Sequence, residues 1–193
     1  MPQISGQAFV KDEIILSETK ATKNWFVRHV KAEAKKDTMP YSDRVGNVVA
    51  VVVIILVTLY FVAHQMWSTG FFTSKFGSLE MFLFYGVLIY QIVPTALKAL
   101  FGRKNFARLF EIFGSVLGTV VLAWLFVVFP FDFAYFADVL PSFLRILLQW
   151  ISNDIVRVLM VLGIIAAPVM AIYSAILYVF VRRELSKPTR KTA

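Results

Sequence analysis

IVRVLMVLGIIAAPVMAIYSAILYVFV, residues 155–181, decides the fold. These 27 residues carry one charge, Arg157, close to the start. An α-helix rises 1.5 Å per residue, so the stretch reaches roughly 40 Å, enough to cross a hydrocarbon core about 30 Å thick with some tilt. Gly163, Ala167, Ala171 and Ala175 recur every fourth residue and share one helix face. Large side chains fill most of the rest, and Leu177 is the contrasting position, placed toward lipid. Lipid is as apolar as leucine, so membrane helices associate through close packing and hydrogen bonds. A stripe of small residues lets another backbone approach. The rest of the chain is expected to pack as a bundle against this helix.

Composition points the same way. The 193-residue chain is 59% apolar, where a soluble domain is about 45–50%. Its mean hydropathy is +0.71. The absence of cysteine excludes disulfides, thiolate metal sites and cysteine nucleophiles. The net charge of +8 is read as the basic cytoplasmic side of a membrane protein rather than as a nucleic-acid footprint. No secretory signal pattern occupies the first residues. The apolar run beginning near Val45 is expected to be a retained signal-anchor span.

Three further spans precede the quoted one. The first, 48–67, contains VVAVVVIILV, which suits a buried strand, but about 20 apolar residues fit a spanning helix and strands rarely exceed about ten. The second, 79–100, carries Gln91 and Pro94, and Pro94 should kink its last third. The third, 110–129, holds Gly114 and Gly118 in a GxxxG, with Ser115 and Thr119 beside them. In the last connection, Ser142, Arg145, Gln149 and Ser152 form a polar stripe opposite Leu144, Leu148 and Ile151. This predicts an amphipathic interfacial helix over 141–152, lying flat or re-entrant. Asn153 or Asp154 should cap the final span.

The expected fold is all-α: a polytopic integral membrane protein of four transmembrane helices, one outer amphipathic interfacial helix and a cytosolic N-terminal arm. The arm, 1–44, is basic. A helix capped by Ser17 and running to Lys36 would lay Trp25 and Phe26 on anionic lipid. The transmembrane domain covers 45–182 and a basic tail 183–193. The arm holds eight Lys and Arg, the stretch from Lys98 to Arg108 four and the residues after Val181 five, seventeen against Lys75, Arg145 and Arg157 on the other side. That bias places both termini in the cytoplasm, with anionic lipid expected at the basic face.

No HExxH, Walker A or GxSxG pattern is present, so the sequence assigns no catalytic set, cofactor or metal. His29 and His64 fall on opposite sides of the membrane and cannot share an ion. His64, between aromatic and polar neighbours, reads as an interfacial residue. Glu80, Asp132, Asp138 and Asp154 fall outside with Arg145 and Arg157. They form either a carboxylate cation site or separate caps and headgroup contacts, and without a DxD spacing the second is preferred. Gln91 and Pro94 mark either a polar pathway or an interhelical contact. The expected function is that of a non-enzymatic membrane protein acting through helix packing with itself or a partner subunit, as an accessory subunit, scaffold or assembly factor. The alternative is a small oligomeric channel or transporter.

Overall fold

A computed structural model describes residues 24–187. All regular structure among them is helical, apart from two isolated bridge pairs. Helix α1 covers 24–35, α2 Tyr41–Met66, α3 Ser78–Tyr90, α4 Ile92–Phe101, α5 Lys104–Val128 and α6 Asn153–Leu185. Four stretches are long and apolar enough to cross a membrane: Tyr41–Met66, Ser78–Phe101, Lys104–Val128 and Asn153–Leu185. The chain is a multi-pass helical membrane protein. Its helices outrun the apolar stretches mostly at the basic end, where polar turns such as the one carrying Asp43 stay helical outside the hydrocarbon.

The second span is broken at Gln91, three residues before the proline expected to kink it. Pro94 has no N–H for the carbonyl of Tyr90, and its ring crowds that carbonyl, so the break falls on the preceding turn. The carbonyl of Gln91 is then held by the Thr95 hydroxyl at 2.9 Å.

Helix α5 packs most extensively on α6, α3 and α4 lie against α5, and α2 packs on α3 and α4. The helices thus form an open arc with α2 and α6 at its edges. The glycines set close approaches. A Cβ on Gly163 would sit 2.8 Å from Leu122 of α5, and one on Gly114 2.8 Å from the ring of Tyr90. The Tyr90 hydroxyl crosses to the carbonyl of Phe110 at 3.0 Å. On α6, Ala171 is buried and Gly163, Ala167 and Ala175 are half-buried.

The two loops at the end opposite the basic residues are plugged with phenylalanine. Phe71, Phe129 and Phe131 are buried with Val121, Leu125 and Met160, ringed by Phe61, Phe72, Phe76, Phe84, Phe133 and Phe136. The backbone N–H of Asp132 reaches the carbonyl of Phe71 at 2.7 Å, and that of Thr73 reaches Pro130 at 3.0 Å. These bonds register the two loops so that their rings interleave.

Residues 141–152 do not form the expected helix. They make successive turns with one 3₁₀ turn, Arg145–Leu147. A free helix of about a dozen residues is marginal in itself. Here the Arg145 guanidinium folds back to the carbonyl of Leu140 at 3.1 Å and to the carboxylate of Asp138 at 3.4 Å, which pulls the segment into turns. Leu144, Leu148 and Ile151 are nonetheless the half-buried positions, and Arg145 and Gln149 are exposed.

Ser17 and the start of the expected arm helix lie outside the described residues. From 24 to 35, α1 docks along the basic end of α6. Val30, Leu177 and Val181 are buried together, with Phe26 and Ala34 packed around them. Leu177 is therefore covered by α1 and does not face lipid. Arg28, Lys31 and Lys35 remain exposed on the far side of α1.

Candidate functional site

The polar groups sit in three layers: the basic end, the middle of the second span and the aromatic end. At the basic end they fasten one element to another. Asp37 accepts the backbone N–H of Asn105 at 2.7 Å on its carboxylate and that of Lys104 at 2.9 Å on its carbonyl. This places a negative charge at the N-terminus of α5, where the helix dipole favours it. Arg44 caps the other side of the turn, donating to the carbonyls of Ala99 and Leu100 at 2.9 and 2.7 Å. Arg108 holds Glu33 of α1 at 3.0 Å, and Lys98 pairs with Glu111.

At the aromatic end His64 is buried, not spread on the membrane interface as its flanking residues suggested. Its Nε2 lies 3.0 Å from the carbonyl of Phe136, and its Nδ1 2.6 Å from the Thr69 hydroxyl. A carbonyl only accepts, so Nε2 carries the proton and Nδ1 accepts from Thr69. Tyr60, one turn earlier on α2, also donates its hydroxyl to the carbonyl of Phe136. Tyr60 and His64 thus clasp the second loop to the end of α2. Their i, i+4 spacing is visible in the sequence, but their shared backbone acceptor is not.

The charges at the aromatic end are placed apart. Glu80 turns back to the backbone N–H of Gly77 and accepts the indole N–H of Trp124, both at 3.1 Å. Asp132 accepts from the N–H of Ala134 at 3.1 Å and from Asn153 at 3.4 Å. Asp138 pairs with Arg145. Ser152, rather than Asn153 or Asp154, caps α6 through the N–H of Ile155. Arg157 lies over the ring of Phe129, 4.3 Å from its centroid. Among the described residues no three His, Asp or Glu side chains come close enough to hold a metal ion.

In the middle layer Pro94 is buried and Gln91 exposed, so the two do not line one path. Between α3 and α5 runs an apolar groove of about 140 Å³, bounded by Phe84, Val87, Leu88, Gly118, Val121, Leu122 and Leu125. A Cβ on Gly118 would meet only Val87, at 4.0 Å, so the glycine leaves the groove floor open. Gln91 follows Leu88 by three positions and falls on the same face. Among the described residues its side-chain amide has no hydrogen-bond partner. No protein-family model, curated protein or solved structure matches the chain.

Proposed function

We propose that this protein works by helix packing in the membrane, as an accessory subunit, scaffold or assembly factor whose partner is a second copy or another membrane subunit. The observation carrying this reading is the exposed amide of Gln91 at the end of the glycine-floored groove. Glu80 and Lys98 bracket an uncharged run in the second span of about 27 Å at 1.5 Å per residue, and Gln91 lies well inside it. An amide facing hydrocarbon without a partner is costly, and a neighbouring helix that hydrogen-bonds it relieves that cost. A helix seated between α3 and α5 meets Gly118 with its backbone and Gln91 with a polar group. A photoreactive thiol reagent on Thr95→Cys, one turn from Gln91, should therefore form protein adducts in membranes. The same label on lipid-facing Val127→Cys should mark lipid. Gln91→Leu should lower the protein adduct about fivefold, the worth of a hydrogen bond of roughly 1 kcal/mol between membrane helices. Lipid adducts alone at both positions would sink this reading, and solute flux into liposomes carrying the purified protein would favour the channel alternative.

In the same proposal both termini and the α4–α5 turn face the cytoplasm, on the basic-residue bias. Ser74 and Arg103 are exposed at opposite ends of the bundle, and the native chain has no cysteine to interfere. An impermeant thiol reagent applied to intact cells is expected to label Ser74→Cys and spare Arg103→Cys. The reverse pattern would invert the orientation.

A further inference from the structure

We infer that Arg157 and the groove beneath it form a binding site for one phospholipid, with the lipid phosphate on the guanidinium and an acyl chain along the groove. Arg157 lies four residues into α6, about 6 Å below the helix start. A long basic side chain one turn into a spanning helix can reach the boundary between headgroups and acyl chains. Its guanidinium carbon lies over the ring of Phe129, 4.3 Å from the centroid, and Phe129 is itself buried where α5 ends. The ring attracts the cation from one side, and among the described residues the guanidinium N–H groups have no hydrogen-bond acceptor, so they remain able to donate.

Three of the carboxylates at this end are engaged elsewhere, and Asp154, one turn before Arg157, is exposed. Glu80 caps its own helix and accepts from Trp124, Asp132 accepts from Ala134 and Asn153, and Asp138 holds Arg145. Among the described residues no carboxylate lies within ion-pair distance of Arg157. A fixed cation at the edge of the hydrocarbon is costly without an anion. A phosphodiester supplies one, and its oxygens match the forked donors of arginine.

The groove supplies the apolar half of the site. Arg157 stands at one end of an opening of about 240 Å³ whose other walls are Phe126, Val158, Val161 and Leu162, all hydrocarbon. From Arg157 to Leu162 the helix descends roughly 7.5 Å into the membrane. A charged head followed by an apolar trough is the order of groups in a phospholipid. This groove shares no lining residue with the one between α3 and α5.

The probe is dioleoyl phosphatidylglycerol, titrated into the purified chain in an uncharged detergent and counted by native mass spectrometry. One tightly held molecule is expected. Arg157→Gln should weaken it about tenfold or more, the usual loss for a hydrogen bond to a charged group. Leu162→Trp, which fills the groove and leaves the arginine intact, should weaken it too. Arg145→Gln, whose partner is Asp138, should leave it unchanged. Dioleoylglycerol, which has the chains without the phosphate, should not compete. Unchanged binding in both Arg157→Gln and Leu162→Trp overturns the proposal. So does displacement of the lipid by millimolar inorganic phosphate, which would mark a free-anion site. Arg157→Lys keeps the charge and serves if the glutamine variant fails to fold: it should retain binding weaker than the parent but stronger than Leu162→Trp, and binding equal to the parent overturns the forked recognition.

Discussion

Phe71→Ala is expected to destabilise the protein by about 3–5 kcal/mol, the range for emptying a buried phenylalanine site, and to loosen both loops at the aromatic end. Phe71 is 1% exposed, although it lies in a loop. Its ring lies 4.8 Å from that of His64, 5.1 Å from Phe133, 5.4 Å from Phe136 and 5.5 Å from Phe131. These neighbours come from the end of α2 and from the second loop, so the Phe71 ring is the common wall between them. Its carbonyl also accepts the N–H of Asp132. Collapse into the space left by the ring would require α2 and the second loop to move together, and the clasp of Tyr60 and His64 on Phe136 opposes that. Phe82→Ala is the comparison: that ring is 74% exposed on α3 and loses contact with lipid alone. Thermal unfolding in detergent should separate the two, and proteolysis within 67–77 and 129–152 should rise for Phe71→Ala. Equal melting of both variants would show that the phenylalanine plug contributes no more than lipid contact.

Apolar run length was enough to read the spans, because hydrocarbon thickness imposes it on every crossing helix. The break in the second span was legible through Pro94, although its place at Gln91 depends on which carbonyl the missing donor abandons. Pro168 lies within an unbroken α6, and nothing in its immediate sequence distinguishes it from Pro94. The phenylalanines were harder. In an apolar chain an aromatic residue reads as lipid-facing, and only pairing of the two loops turns Phe71 and Phe131 inward. His64 was misplaced for the same reason, since its partners are a backbone carbonyl 72 residues away and a threonine in the following loop. In 141–152 the spacing of half-buried positions was legible and the backbone was not. A repeat of three to four residues fits successive turns as well as an α-helix, and the hold of Arg145 on Asp138 and Leu140 decides between them. Of the polar candidates, the acids at the aromatic end were grouped by their side of the membrane, but Glu80, Asp132 and Asp138 each met a nearer donor than another carboxylate, and Asp154 stayed exposed.

Leu177→Ala should cost about 2–5 kcal/mol, as for a buried leucine, with the loss appearing first as release of α1. Leu177 lies 24 residues beyond Asn153 in α6, about 36 Å along the helix. At that point α1 lies over it, with Val30 on the leucine and Phe26 and Ala34 around it. It is 3% exposed, packed with Val30 and Val181. What else holds α1 is modest. The Arg108–Glu33 pair is mostly buried, so desolvation offsets part of its attraction. The bond of His29 to the Tyr173 hydroxyl is exposed, and Phe26 meets Phe180 edge-on at 5.1 Å. A cavity at the centre of so small an interface exceeds what the remaining contacts can offset, so α1 should leave α6 while the spans stay packed. Arg28, Lys31 and Lys35 are tryptic sites protected by the helical backbone of the docked α1. Cleavage after them should accelerate in Leu177→Ala at temperatures where the spans remain folded. Ile172→Ala, at an exposed site on the same helix, should leave cleavage unchanged. Identical cleavage in the two variants would mean that α1 is held by its charges and not by the leucine beneath it.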